Sequence, residues 1–255
     1  MDIVNRDQTI EGFARSGWAI VDGLLAPQQI ARARRAVQWS LEQPWPESRW
    51  IRPRSYECFQ EHPIYVELIE HPFVIEFADR WLGPDFHVIA AQCSRNTRDA
   101  FYAPGADALH QDAVFFPRPE RRVEGLADDR YSFSAMWYLQ DTPLEMGPTE
   151  LVSGSHLSTD PNLGGSVPAP PVFRQPMPAG SLLLFNHRTW HRGTPNNTAR
   201  VRDLITNAYA NRAIEKVQLT TPQPGRPQTY VPCQALLDIS SDTIRQLLAE
   251  PVAVG

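Results

Sequence analysis

The strongest constraint on this chain is the texture of residues 86–211. Short runs of β-branched and aromatic residues, at 86–94, 110–116, 131–141, 149–153, 181–186, 190–193 and 201–211, alternate with clusters of Gly, Pro, Asn and Asp. Runs of this length between turn signals read as strands, and strands repeated at such spacing make a barrel or a sandwich. Proline use agrees: 24 of 255 residues are Pro, roughly twice ordinary usage. The prolines are scattered rather than periodic, which points to a loop-rich β body and not to a polyproline spacer.

The flanks read differently. Ile10, Phe13 and Ala14 recur at helical spacing, so residues 7–17 are expected to form a helix ended by Gly17. A short strand is expected over 18–22. A second helix is expected over 27–42, with Ile30, Ala33, Val37 and Leu41 on one face and a solvated face carrying Arg32, Arg34 and Arg35. Residues 64–82 read as one helix ending near Gly83 and Pro84, and 240–249 as a last one. The irregular stretch 43–63 holds Trp45, Trp50, Arg49, Arg52 and Arg54. Loops that long in a compact domain are commonly lids or binding elements, and the insert 117–130 is expected to act likewise. The expected organisation is a single domain over 1–255, mainly β with flanking α-helices.

Composition narrows the function classes. Lys and Arg number 24 against 29 Asp and Glu, a net charge of −5, with a pI near 5.8. A nucleic-acid binder normally carries a basic face, so none is expected. Cys58, Cys93 and Cys233 have no paired short spacing, which suits a reducing cytosol and offers neither a disulfide framework nor a thiolate metal site. The opening MDIVNRDQTIEGF lacks an apolar core, so no secretory signal is expected, and no apolar run is long enough for a membrane span. A cytoplasmic protein is the expectation.

Among the seven histidines the informative ones are His110, His187 and His191. On a strand, residues two apart share a face, so His110 and Asp112 would point together and Gln111 away. A His-x-Asp pair alone is weak and is usually a hydrogen-bonded pair of no catalytic meaning. A third group changes its weight. His187 and His191 follow the apolar run 181–185, but no Glu follows His187, and Gly193 and Pro195 leave no room for a helix, so a zincin-type HExxH site fails. On extended structure one of these two histidines could join His110 and Asp112. Two His and one carboxylate form the facial triad of non-haem Fe(II) oxygenases, which keeps positions open for cosubstrate and oxygen. A strand carrying Arg200 and Arg202 follows, and an Arg near such a centre can hold a carboxylate through paired charge-assisted hydrogen bonds.

Three stretches in order make the chain resemble the phytanoyl-CoA dioxygenase family of Fe(II)/2-oxoglutarate-dependent oxygenases. They are the opening IEGFARSGWAIVDGLLAPQQIARARRAV, the centre HQD followed by SAMWYLQDTPLEMGPTELVSGSH, and the end GSLLLFNHRTWHRGTPNNTARVR. The resemblance implies a double-stranded β-helix (jelly roll) with flanking helices. It implies iron on His110, Asp112 and His191. It places Arg202, eleven residues beyond His191, on the distal carboxylate of 2-oxoglutarate, with Arg200 as a near rival. It also implies that Gln92 and Trp137 lie near the cosubstrate, Trp137 less securely because of the insert before it.

The implied cofactors are Fe(II), 2-oxoglutarate as cosubstrate and O2, and the implied reaction is oxidation, above all hydroxylation, of a C–H bond in a small-molecule metabolite such as a natural-product intermediate. Related halogenases carry a small residue where this chain has Asp112, so halogenation is not expected. Desaturation, epimerisation and ring closure use the same iron set and stay open. Two alternatives compete: a zinc-dependent hydrolase on the same His/Asp/His set, which has no use for Arg202, and a non-catalytic β-barrel binding protein, which has no use for a complete triad. His156, His62 and His71 read as turn residues, His187 as a residue behind the ligands, and Phe115 and Phe116 as core with one of them near the metal.

Overall fold

The structure, a computed structural model, describes residues 6–42, 54–55, 62–98, 108–112, 127, 130–160, 163–165, 168–214 and 241–248. Helix α1 (Arg6–Ser16) buries Phe13 and ends at Gly17, whose φ of 79° releases the chain into β1 (Trp18–Val21). Helix α2 (Pro27–Glu42) starts on a proline, whose missing N–H costs nothing there, and buries Ala33, Ala36 and Val37. After β2 (Arg54–Ser55), the stretch expected as one helix is two, α3 (Pro63–Ile69) and α4 (Pro72–Leu82). The cause is Pro72. It disfavours a helical residue before it, and His71 accordingly sits at φ −54°, ψ 125°. His62 and His71 are the residues preceding the two helices, each followed by a proline.

The β body follows as β3 (Phe86–Asn96), β4 (Ser132–Tyr138), β5 (Glu150–Leu151), β6 (Leu182–Asn186), β7 (His191–Arg192) and β8 (Arg202–Asn211), and α5 (Asp242–Leu248) closes the described chain. Six strands form one antiparallel sheet in the order β1-β6-β4-β8-β3-β2, and β5 and β7 form a second. All ten residues of β8 are buried, as a central strand must be when both faces of its sheet are covered.

Alternation sorts the two faces. Phe133, Ala135 and Trp137 of β4, Ile205 and Tyr209 of β8, and Ala91 and Cys93 of β3 pack with the helices. Met136, Tyr138, Leu183, Phe185 and Leu204 point the other way and meet Leu151 of the small sheet. Two antiparallel sheets facing each other across this second core, with helices outside, are the expected double-stranded β-helix.

The helix-side core is aromatic. Phe13 meets Trp81 edge-on at 4.7 Å, Phe77 meets Phe133 at 5.0 Å, and Phe133 stacks on Tyr209 at 5.2 Å. Such pairs add about 0.5–1.5 kcal/mol each beyond buried area. The Tyr209 hydroxyl donates to the Ile69 carbonyl at 2.7 Å, and burial pushes its pKa well above the ordinary phenol value.

The arginine face of α2 is not simply solvated. Arg32 forks onto Glu67 of α3 at 2.5 and 3.0 Å. Arg34 stands 3.7 Å from the fully buried carboxylate of Asp203, which Arg95 holds at 2.7 and 3.0 Å. These pairs fasten α2 to α3 and to the sheet. Cys93 is buried and forms no disulfide among the described residues; Cys58 and Cys233 lie outside the described residues. No helix among the described residues is long and apolar enough to cross a membrane.

Candidate metal centre

The centre is built at the turn after β6. Asn186 caps this turn: its side-chain oxygen accepts from Arg188 N at 2.9 Å and its carbonyl from Thr189 N at 2.8 Å. Thr189 Oγ1 and Asn186 N both donate to the Gly17 carbonyl at 2.8 Å, so the end of α1 fixes the turn from outside. The chain then enters β7 with His191 at its start. His110 is held against His191 by a reciprocal pair of backbone hydrogen bonds, each 2.9 Å. Gln111 points away, as alternation predicts, and donates to the Arg188 carbonyl.

His110 and Asp112 therefore face the same way and meet His191. Asp112 Oδ1 stands 3.7 Å from Nε2 of each histidine, and the two imidazole rings are 4.4 Å apart. One donor atom from each of the three residues lies within 4.8 Å of the others. At 3.7 Å the pairs are beyond hydrogen-bonding distance, so the groups converge on a common point without bonding to one another.

The imidazoles are also set in the right form. Nδ1 of His110 meets the Ala108 carbonyl at 3.0 Å and Nδ1 of His191 the Thr189 carbonyl at 2.9 Å. A carbonyl only accepts, so each Nδ1 carries the proton and each Nε2 keeps its lone pair, facing Asp112. Burial lowers the His191 pKa, and His110 adds to this, while Asp112 and the Thr189 carbonyl oppose it. Two neutral imidazoles and one carboxylate in this arrangement could hold a divalent cation.

His187 lies beside these residues without belonging to the cluster. It is 1% exposed, its Nε2 is 2.9 Å from Ser134 Oγ, and burial pulls its pKa down to about 4, with Asp112 raising it and His191 lowering it. The Phe185 ring packs 4.6 Å from that of His191. His156 is a structural residue, its buried Nε2 3.0 Å from the Ala14 carbonyl.

The two candidate arginines separate by depth. Arg200 is exposed and donates to the Asp141 carbonyl at 3.2 Å. Arg202 is 2% exposed. Its Nη1 donates to the carbonyls of Met146 at 2.9 Å and Thr194 at 3.1 Å, three residues beyond His191, and its Nε is buried without a partner. Among the described residues no carboxylate pairs with it. A buried cation left this way calls for an anion.

Gly147 makes room for the guanidinium. Its φ is 75°, and a Cβ there would sit 2.8 Å from Arg202 Nη1 and 2.6 Å from the Thr194 carbonyl oxygen. Gln92 lies across from Thr206 of β8 on the inner face, with its Oε1 buried and unpartnered.

Trp137 is not brought to this site. It is fully buried on the helix-covered face, opposite Arg202, with its ring edge-on to His71 at 5.1 Å. The expectation that it lies near the cosubstrate is corrected on that ground: strand parity sends its side chain through the other side of the sheet. Phe115, Phe116 and most of the two segments expected as lids lie outside the described residues, as do the side chains of Trp45, Trp50, Arg49, Arg52 and Arg54. Ser134 and Gly147 had no signal in the sequence. Each acts by position in the fold, the one across a sheet from His187, the other by having no side chain.

The profile of the phytanoyl-CoA dioxygenase (PhyH) family matches residues 13–204. The chain is 30% identical over 228 residues to the dioxygenase trt7 of Aspergillus terreus, covering 78% of this chain and 71% of that one. Among solved structures it is similar to the non-heme alpha ketoglutarate dependent epimerase SnoN from nogalamycin biosynthesis, with a TM-score of 0.68 and 18% identity over 90% of both chains. It is also similar to the carbocyclase SnoK of the same biosynthesis, with a TM-score of 0.66 and 19% identity over 83% of this chain and 85% of that one. The chain belongs to the phytanoyl-CoA dioxygenase family of Fe(II)/2-oxoglutarate-dependent oxygenases, and is an oxidoreductase of the dioxygenase class.

Proposed function

We propose that this single-domain cytoplasmic enzyme holds Fe(II) on His110, Asp112 and His191, anchors 2-oxoglutarate through Arg202 with Gln92 alongside, and uses O2 to hydroxylate a C–H bond of a small natural-product intermediate. The observation that carries the reading is the convergence of one carboxylate oxygen and two tautomer-set Nε2 atoms on one point. When bound, the iron and its 2-oxo acid supply the oxidising chemistry, coupling oxidative decarboxylation of the cosubstrate to oxidation of the substrate.

The chain's own residues do the rest. The carbonyls of Ala108 and Thr189 orient the imidazoles and keep Nδ1 protonated, which makes Nε2 the better ligand. Burial keeps His191 and His187 neutral near pH 7, so neither adds a positive charge beside a cation. The Phe185 ring covers the buried His191 side of the site, while His110 and Asp112 stay partly open to solvent. Arg202, fixed by two carbonyls under the turn after β7, offers its remaining donors to a carboxylate. SnoN has been solved with Fe3+, alpha ketoglutarate and nogalamycin RO, and this supports both the cofactors and the substrate class proposed.

The test is anaerobic Fe(II) titration of the purified protein, followed by oxygen-dependent succinate formation from 2-oxoglutarate and mass analysis of products from a panel of natural-product intermediates. One oxygen atom gained marks hydroxylation. An unchanged mass, as for an epimerase, or the loss of two hydrogens, as for a ring closure, rejects hydroxylation and keeps the iron chemistry. No iron-dependent succinate rejects the reading.

A further inference from the structure

We propose that Asn96 is a second side chain of the carboxylate seat, donating its amide N–H to the distal carboxylate of 2-oxoglutarate beside Arg202 and so selecting a diacid cosubstrate; this rests on the reading of Arg202 as the anchor. Asn96, the last residue of β3, is the direct antiparallel partner of Arg202 on β8. Directly opposed residues send their side chains to the same face, so the amide stands next to the guanidinium on the inner face. Both are sealed from solvent, Asn96 at 1% and Arg202 at 2% exposure.

Three polar atoms on this stretch of the inner face have no partner: Gln92 Oε1, Asn96 Oδ1 and Arg202 Nε. Buried polar groups in native proteins are almost always satisfied; of these three, Arg202 Nε is the donor, and an unpartnered donor on a buried cation calls for a ligand that is both anionic and able to accept hydrogen bonds. A carboxylate is both. An asparagine amide beside the guanidinium suits such a seat because its N–H can donate to the same carboxylate.

The backbone of Asn96 is held for the task. Its carbonyl accepts from the Asn196 amide at 3.0 Å, and the same amide donates to the Arg200 carbonyl at 2.6 Å. Asn196 is itself buried, and its Oδ1 accepts from Thr198 N at 3.0 Å. One side chain thus staples the turn before β8 to the end of β3, fixing the distance between Asn96 and Arg202. Among the described residues no hydrogen bond engages the Asn96 side chain itself, and its Oδ1 is buried without a partner.

The experiment is calorimetric titration of the full-length, anaerobic Fe(II)-loaded protein with 2-oxoglutarate and, separately, with 2-oxopentanoate, which keeps the 2-oxo acid end and lacks the distal carboxylate. Hydrogen bonds to charged groups are the stronger ones. Asn96→Ala is expected to weaken 2-oxoglutarate binding about ten- to a hundredfold and to leave 2-oxopentanoate binding unchanged. Asn96→Asp, which sets a carboxylate beside Arg202 and occupies it, is expected to weaken 2-oxoglutarate further than Ala does. Equal loss for both ligands would make Asn96 a merely structural residue and overturn the proposal, and so would wild-type affinity in either variant. Arg202→Ala, run alongside, separates the two layers. If it weakens 2-oxoglutarate while Asn96→Ala does not, the Asn96 proposal fails alone; if it leaves 2-oxoglutarate affinity untouched, the anchor reading fails first.

Discussion

Replacing Arg202 with alanine is the perturbation whose size the structure sets most directly. The side chain is 2% exposed, and its two carbonyl contacts leave Nε and the rest of the fork for an anion. Once a carboxylate is bound there, the pair is buried and charge-assisted. Removing one partner of such a pair costs about 3–5 kcal/mol, because the other charge is left in the interior. At about 1.4 kcal/mol per tenfold, the KM for 2-oxoglutarate in Arg202→Ala should rise by roughly two to three orders of magnitude. Arg200→Ala removes an exposed side chain whose hydrogen bond among the described residues is to the Asp141 carbonyl, and an exposed charge is worth about 1 kcal/mol or less, so a change of a few-fold is expected. Arg202→Lys should fall between them, since it keeps the charge and loses the planar fork. The ligand-free protein should respond far less than the affinity does. The mutation removes two carbonyl bonds and, with them, an unpaired buried cation, so the melting temperature should move by only a few degrees, about 1 kcal/mol. Steady-state 2-oxoglutarate titrations and thermal melts of all three variants decide it. A large rise in Arg200→Ala with little change in Arg202→Ala would refute the reasoning from depth.

Iron binding measured by stoichiometry should be lost in His110→Ala, Asp112→Ala and His191→Ala and kept in His187→Ala; retention in His191→Ala with loss in His187→Ala would make His187 the ligand. Gly147→Ala forces a Cβ onto the Thr194 carbonyl and Arg202 at a φ of 75°, a backbone strain of about 1–2 kcal/mol before any clash. It should lower the melting temperature and raise the KM for 2-oxoglutarate together, and unchanged values for both would remove Gly147 from the seat. In the metal-free protein, His187 has its pKa lowered from 6.5 to about 4 by burial, so the unfolded chain binds the proton more readily. Stability from this group is therefore complete above pH 6.5 and falls by roughly 3 kcal/mol as the pH drops towards 4. Urea denaturation across that range should show a shallower pH slope in His187→Gln, and parallel curves for the two proteins would reject the assignment.

The legible part of the fold was periodic. The 3.6-residue spacing of Ile30, Ala33 and Val37 places α2 at its observed bounds, and the β-branched runs place β3, β4, β6 and β8. The error at 64–82 was local: the apolar pattern runs through Glu70 and His71, and the backbone preference before Pro72 overrides it. The error at Trp137 was one of parity. A resemblance in sequence does not say which face of β4 its side chain takes, and the pairing of Trp137 with Leu182 and Ile205 decides it.

The two halves of the proposed site were legible to different degrees for a chemical reason. Metal ligation needs particular atoms, so a neutral imidazole or a carboxylate at the right strand spacing carries its meaning in the residue letter. The proposed carboxylate seat is made of what any residue can supply. Met146 and Thr194 contribute carbonyls, Gly147 contributes an absence, and Asn96 contributes an amide whose place depends on a strand register across 106 residues of chain. None of these has a signature in its own neighbourhood. Depth alone separates Arg202 from Arg200, and depth is set by where β8 begins. The turn at Asn196 settles that point: its side chain ties the Arg200 carbonyl to the end of β3, so that Arg202, two residues on, is the first of the two arginines to enter the sheet.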